Sequence, residues 1–218
     1  SIGKERTSVL KFLKRLLIAV LVLLLVIIAT PFLLLQFGSQ STATSTKLIL
    51  NAVVGYSIDT PSNSVLEQRL IVPDGFVVSL YAGDLAKIRF LRFTEGGDLL
   101  ATRPRQGEVI LLGRDADGDA MPDSRKTLLT DLNRPHGLDL WNGWLYIAES
   151  DAIGRVRFNE QSGELEGDYQ RIVEGLSGDG NHWTKTLRIG PDGWMYVSAG
   201  STCNVCEEED PRRATMMR

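Results

Sequence analysis

The chain has 218 residues, 43% hydrophobic and 23% charged, with a formal net charge of −3. The length allows one or two domains, and the composition is ordinary for a globular protein. The mild acidity excludes the strongly basic balance of a nucleic-acid binder, so no nucleic acid is expected among its partners.

That charge is unevenly placed. Lys4, Arg6, Lys11, Lys14 and Arg15 stand against Glu5 alone, so residues 1–15 carry +4 and the remainder −7. A basic leader before an acidic body points to membrane targeting. Residues 16–35 (LLIAVLVLLLVIIATPFLLL) follow without a charge. At about 1.5 Å per residue they reach roughly 30 Å, the thickness of a bilayer's hydrocarbon core. Pro31 is tolerated in a membrane helix. The next charge is Lys47, so the positive-inside tendency leaves the N-terminus cytoplasmic and sends the body out to a periplasmic or extracellular location. A cleaved signal peptide, whose apolar core runs to roughly 7–15 residues, and a buried soluble helix are the competing readings. The length of the run and its freedom from charge favour a single-span anchor in the inner or plasma membrane.

Residues 36–64 form a linker rich in Ser, Thr, Gln and Asn. One apolar island, 48–56, is open to either a short helix or an edge strand. From residue 65 the chain reads as short β runs split by Gly, Asp, Asn and Pro. Expected strands are 76–81 (FVVSLY), 109–112, 145–147, 156–158, 187–189 and 195–197. Turn signals separate them: Gly96-Gly97-Asp98, Asn142-Gly143 and Pro191-Asp192-Gly193. After residue 60 no stretch holds a 3.6-residue apolar period over three turns.

Stacking these segments exposes a repeat. LRFTEGGDLL from Leu91, LDLWNGWLYI from Leu138 and LRIGPDGWMYV from Leu187 each read as strand, Gly-containing turn, strand. Leu91 lies 47 residues before Leu138, and Leu138 lies 49 before Leu187. A period of about 40–50 residues with several strands per repeat is a propeller signature. The expected fold is therefore all-β, a β-propeller behind one N-terminal transmembrane helix. Blades stack round a channel because one four-stranded sheet cannot bury both its faces alone, and typically 4–8 are needed. Residues 65–218 supply about three, so the chain is expected to be an N-terminal fragment of a larger ring.

The chain has only two histidines, His136 and His182. Each precedes the first strand of a repeat, where the loop leading into the channel-lining strand opens on one face, so the two are expected to approach one central site. The competing reading makes each a structural or loop histidine. Asp115, Asp117 and Asp119 with Asp123 supply closely spaced hard oxygen ligands of the kind calcium takes. They do not form an EF-hand loop, since the glycine is fourth and the twelfth position is Lys126; a solvated acidic hairpin is the alternative. Cys203 and Cys206 are the only cysteines. Thiol redox chemistry or half a metal site remain open for such a pair, but outside the cytoplasm a local disulfide is favoured.

The stretch Gly180-Asn181-His182-Trp183-Thr184-Lys185, continuing through Pro191-Asp192-Gly193-Trp194-Met195-Tyr196 to Gly200, resembles the hallmark of the glucose/sorbosone dehydrogenase family. Val72-Pro73-Asp74-Gly75-Phe76, Asn133-Arg134-Pro135-His136-Gly137-Leu138 and Cys203-Asn204-Val205-Cys206-Glu207 resemble its membrane-attached, sorbosone-dehydrogenase-like branch. The similarity covers about residues 68–218. It implies a six-bladed propeller that uses pyrroloquinoline quinone and calcium to oxidise a sugar or related polyol, passing electrons to a membrane quinone or a cytochrome. His182 matches the family's general base, which takes a proton from a sugar hydroxyl while hydride leaves the same carbon for the quinone. An imidazole of ordinary pKa, about 6.5, suits that role. Arg134, His136 and Asn181 fall near an early-blade cofactor contact. The family's remaining quinone contacts and catalytic calcium ligands belong to later blades, so this stretch alone is expected to be inactive. Two other functions stay open: a non-enzymatic propeller serving as a binding or scaffold module, and a hydrolytic propeller such as a lactonase. The latter needs acidic and Asn ligands converging on a central calcium, and the loops offer no clear set.

Overall fold

A computed structural model of the chain describes residues 2–37, 46, 60–85 and 87–218. Residues up to Asp59 and residues from Thr60 form two separate units. The linker expected over 36–64 lies mostly outside the described residues, as does the whole apolar island at 48–56.

In the first unit, α1 (Ile2–Phe37) runs through both the basic leader and the apolar segment. Its stretch Leu13–Pro31 is long and apolar enough to cross a membrane, and every side chain from residue 13 to residue 28 is exposed. Pro31 has no N–H to give the preceding turn, and next to it the Thr30 hydroxyl donates to the Val26 carbonyl at 2.7 Å.

The second unit opens with the short helix α2 (Asn63–Arg69). Everything after it that is regular is β, in three antiparallel sheets. The first runs in the order β1 (Leu91–Phe93), β2 (Leu99–Arg103), β3 (Glu108–Leu112), β4 (Arg125–Leu129). The second runs β5 (Leu138–Trp141), β6 (Trp144–Ala148), β7 (Ile153–Asn159), β8 (Glu164–Val173). In the third, β10 (Met195–Ala199) pairs with both β9 (Lys185–Ile189) and β11 (Thr215–Met217). Each sheet is a simple meander, so the sequence repeat is a sheet repeat and the architecture is propeller-like.

The hairpins form where turn chemistry asks for them. Asn142 and Gly143 both take positive φ, 51° and 71°, as a two-residue turn between β5 and β6 requires. Their strands pair in register from Trp141–Trp144 to Leu138–Ile147.

Alternation along the strands builds the core. In β2, Leu100 faces one way while Leu99 and Ala101 face the other; in β6, Leu145 and Ile147 oppose Tyr146 and Ala148. The first set joins Leu138, Val156 and Phe158 in a layer between the first and second sheets. Tyr146, Ala148, Leu187 and Val197 fill the layer between the second and third. Leu99, Ile110 and Leu112 are covered by Tyr81, Leu85 and Ile88. The inner strands β2, β3 and β6 thus bury apolar side chains on both faces by the period-two rule, and each fully buried Leu or Ile contributes about 1.5–3 kcal/mol.

Residues 76–81 correct the sequence reading. They are β-rich in composition yet belong to no strand. A strand exists only as a pair, and none of the described residues offers this segment a ladder; Phe76 and Val77 are exposed. The segment instead delivers Tyr81, whose hydroxyl donates to the Gly113 carbonyl at 3.3 Å.

Candidate active site

The segments leading into β1, β5 and β9 lie at one end of the sheets, and each brings an aromatic ring. Phe90 lies 5.8 Å from the His136 ring, and His136 meets the Trp183 indole edge-on at 6.2 Å. His136 is thereby fixed between neighbouring sheets. Its Nδ1 lies 3.1 Å from the Lys185 carbonyl, and its backbone N–H donates to Ala148. A carbonyl only accepts, so Nδ1 carries the proton and Nε2 the lone pair. Burial pushes the His136 pKa below its ordinary value; the Lys185 bond opposes this and Arg89 adds to it.

Gly137, next in the chain, shows how close the sheets come. A Cβ there would lie 2.8 Å from Thr186 Cα and 2.9 Å from both Leu187 N and Lys185 O.

Three cations gather on the segment leading into β9. Arg134 donates to the Gly178 carbonyl at 2.6 Å, and its guanidinium stacks 5.0 Å from the Trp183 ring. The Lys185 ammonium, 1% exposed, donates to the carbonyls of Ser150, Ser177 (2.7 Å) and Trp183 (3.3 Å). Arg213 is almost as buried and ties together Ser177, Asp179 and Ser201 through their carbonyls. Burial lowers the Lys185 pKa to about 8, with Arg213 and Arg134 pushing the same way and Asp151 and Asp210 pulling back. At neutral pH the ammonium is therefore charged, and three carbonyl acceptors match its three protons.

His182 is half-buried and sits on the loop before β9. Beyond the β9–β10 ladder, the two arms of the hairpin stay paired. Gly200 N–H donates to Thr184 and Asn181 N–H to Thr202. Contact is intimate: a Cβ on Gly200 would lie 2.4 Å from the His182 carbonyl, and one on Gly180 2.3 Å from that of Thr202. Across this gap His182 Nε2 meets Asn204 Oδ1 at 2.8 Å. Asn204 sits between Cys203 and Cys206, which a disulfide joins over a Cα–Cα distance of 6.0 Å.

The sequence-derived residues thus fall into three places. His136 and Arg134 share the Trp183 ring, which follows directly on His182. The Asn181 side chain is exposed and only its backbone is engaged. Far along the first sheet, the loop between β3 and β4 brings ligand oxygens of Asp115, Asp117 and Asp123 within 4.8 Å of one another. Asp119 is not in that group; its Oδ1 accepts from Met121 N–H at 2.7 Å and shapes the loop. None of the three clustered aspartates has a salt bridge among the described residues. Sequence reasoning gave no role to Lys185, Arg213 or Trp183, although Trp183 and Lys185 lie in the hallmark stretch, because contacts to carbonyls and ring stacking are not visible in sequence. It also gave Asn204 no part, although the residue stands between the two cysteines.

Comparison with known proteins bears on this arrangement. The TrAA12-like family model matches residues 70–215. The iodide structure of Trichoderma reesei carbohydrate-active enzymes family AA12 is similar at a TM-score of 0.54 and 25% identity, over 65% of this chain and 36% of that one. Its calcium structure matches equally well, over 35% of that chain. The holo form of the pyranose dehydrogenase PQQ domain from Coprinopsis cinerea shares the fold, with a TM-score of 0.53 and 21% identity over 61% of this chain and 32% of that one. The chain thus spans about a third of the length of these solved relatives. No curated protein matches it.

Proposed function

The chain belongs to the TrAA12-like family, and from that membership and the cationic, ring-lined site around Trp183 we propose that the intact protein is a sugar dehydrogenase dependent on pyrroloquinoline quinone. The observation that carries the reading is the convergence of Arg134, Lys185 and Arg213 on the segment that bears His182.

The residues present fit the cofactor's chemistry. Pyrroloquinoline quinone is a planar tricarboxylate, and three cations here outnumber the two carboxylates, Asp151 and Asp210, that act on Lys185. Lys185 and Arg213 are committed to backbone carbonyls, so they contribute positive field. The Arg134 guanidinium makes a single hydrogen bond among the described residues and has N–H groups left to donate to a carboxylate. His136 offers Nε2, and Asn181 an exposed carboxamide.

The bound quinone supplies the two-electron acceptor. His182 takes the hydroxyl proton of the substrate carbon at its ring nitrogen, and the Trp183 indole and the cations beside it orient what binds there. General-base assistance of this kind is worth about 10²–10⁴-fold.

The wider reading follows the same line. The three sheets are the first blades of a six-bladed ring. Residues 1–15 are a cytoplasmic leader, residues 16–35 a membrane anchor, residues 36–64 a linker and residues 65–218 the start of a periplasmic or extracellular propeller. That side of the membrane keeps the Cys203–Cys206 disulfide oxidised and lets a membrane quinone or cytochrome take the electrons. Asp115, Asp117 and Asp123 hold a structural calcium ion.

Reconstitution of the intact protein with pyrroloquinoline quinone and calcium, followed by dye reduction over a panel of sugars, tests the proposal. Sugar-dependent reduction is expected. Absence of both turnover and a quinone-binding signal in the absorption spectrum overturns it and leaves a non-enzymatic binding or scaffold propeller.

A further inference from the structure

We propose that Asn204 is the positioning residue of His182: its carboxamide oxygen, held in the Cys203–Cys206 loop, fixes the imidazole as the Nε2–H tautomer and makes Nδ1 the proton-accepting nitrogen. The significance of this for catalysis rests on His182 being the base; the tautomer itself does not.

Geometry supplies the argument. His182 Nε2 and Asn204 Oδ1 are 2.8 Å apart, a full hydrogen bond. A carboxamide oxygen has no proton to give, so Nε2 carries the hydrogen. A neutral imidazole has one N–H, and the lone pair is left on Nδ1.

Asn204 is exposed, and an exposed side chain on a free loop would hold nothing in place. This loop is not free. The disulfide closes it at both ends of the Asn204-Val205 pair. Glu208 accepts from Thr202 N–H at 2.6 Å and from the Thr202 hydroxyl at 2.7 Å. The Ser201 hydroxyl donates to the Cys203 carbonyl at 3.0 Å, and Arg213 donates to the Ser201 carbonyl at 2.7 Å. On the other side, His182 is set against Gly200 with no room for a side chain between them. Donor and acceptor are therefore pinned to one frame, the pre-organisation that a positioned base needs.

His136 provides an internal contrast. Its Nδ1 donates to a carbonyl, so it is the opposite tautomer, and the chain has no other histidine.

The experiment is two-bond 1H–15N correlation on the full chain, labelled with 15N-histidine and held in detergent micelles above the titration range of imidazole. Expected are one ring with a protonated Nδ1, His136, and one with a protonated Nε2, His182. Asn204→Asp keeps an acceptor and keeps the His182 pattern. Asn204→Leu moves it to the exchanging mixture of a free imidazole, and the double variant Cys203→Ser/Cys206→Ser moves it part of the way. A protonated Nδ1 on His182 in the parent chain overturns the proposal, because the carboxamide would then be donating through its nitrogen. An unchanged pattern in Asn204→Leu overturns it as well. In the intact enzyme, Asn204→Leu is expected to lower kcat about 100-fold with little change in KM, and Asn204→Asp to retain most of it. A correct tautomer in a protein without dehydrogenase activity removes the functional reading and leaves the Asn204 assignment standing.

Discussion

Asp139 Oδ1 accepts a hydrogen bond from Arg188 Nη1 at 2.9 Å, and the two residues hold the same place in successive repeats. Each is the second residue of its repeat, in β5 and β9. The corresponding residue of β1 is Arg92, whose Nε approaches Asp139 at 3.3 Å as an ion pair without hydrogen-bond geometry. Asp139 Oδ2 also accepts from the Ile189 N–H at 2.7 Å. One carboxylate, 3% exposed, therefore ties the leading strands of all three sheets.

Asp139→Ala is expected to lower stability by about 1–3 kcal/mol, chiefly by leaving the Ile189 N–H without its acceptor. The ion pairs add little, because Arg188 is half-exposed and screened. Urea midpoints check this, with Asp139→Asn, which keeps one acceptor oxygen, expected to fall in between. A loss no larger than that of an exposed control such as Asp74→Ala would remove Asp139 from this role.

A second prediction concerns the approach of sheet to sheet. The methyl group of Gly137→Ala meets backbone at 2.8–2.9 Å from three atoms, and backbone cannot rotate away as a side chain does. Overpacking of this kind costs about 1–3 kcal/mol. Gly143→Ala supplies the comparison: its turn φ of 71° is strained for alanine, but its nearest neighbour is the Arg157 side chain at 3.5 Å. Only Gly137→Ala is expected to weaken the Trp183–His136 contact, read as a change in tryptophan fluorescence.

These two features mark where the sequence was legible and where it was not. The β1–β2, β5–β6 and β9–β10 hairpins are visible because alternating apolar residues and Gly-containing turns are local signals. The outer strands β4 and β8 are not, since an edge strand carries charge in place of apolar alternation, and β11 is only three residues long. β8 reads ELEGDYQRIV, with four of its ten residues charged, yet it pairs with β7 from Asn159–Glu164 to Ile153–Val173. Residues 76–81 fail in the opposite direction, with strand composition and no partner. At the site, the histidines stand out by rarity. Lys185 and Arg213 look like surface cations in sequence and are buried because backbone carbonyls from distant loops surround them. Asp139 was within reach: aligning the repeats places Arg92, Asp139 and Arg188 in one column of alternating charge.

The pH dependence of stability has a sign set by His136. Its folded pKa lies below the unfolded value of 6.5, mainly through burial. Well above pH 6.5 both states are neutral at this residue and its contribution is complete. As pH falls below 6.5 the unfolded chain takes up the proton first, so stability is lost, by at most about 1.4 kcal/mol per pH unit. His136→Gln keeps a donor for the Lys185 carbonyl and cannot titrate. The stability difference between parent and variant, from urea unfolding, is expected to be constant above pH 7 and to narrow toward pH 5. Parallel curves would exclude His136 as the source.

Calcium is expected at Asp115, Asp117 and Asp123, where three carboxylates gather with no salt bridge among the described residues. Chelation should lower the melting temperature of the parent chain and leave that of Asp115→Asn/Asp117→Asn unchanged, with terbium luminescence lost in the same variant. Asp115 also accepts from Gly118 and Ala120 N–H groups, whereas Asp117 accepts, among the described residues, only from Asp119 N–H, a bond that a carboxamide oxygen keeps, so Asp117→Asn alone separates loss of the ion from collapse of the loop. A chelation shift that survives in both variants would place the ion elsewhere.

His182→Ala tests the chemistry. The side chain is half-buried and its one side-chain hydrogen bond is to the exposed Asn204, so its removal should cost the fold less than about 1 kcal/mol. Turnover of the reconstituted intact enzyme should fall by about 10²–10⁴-fold, the range of a lost general base, while quinone binding persists because the cations beside Trp183 are untouched. Arg134→Ala should do the reverse, weakening quinone binding and slowing turnover only until the site is saturated. A pair of variants that both lose quinone binding would show that His182 holds the cofactor and does not act as the base. If neither variant changed turnover, the site would have to lie away from the segment leading into β9.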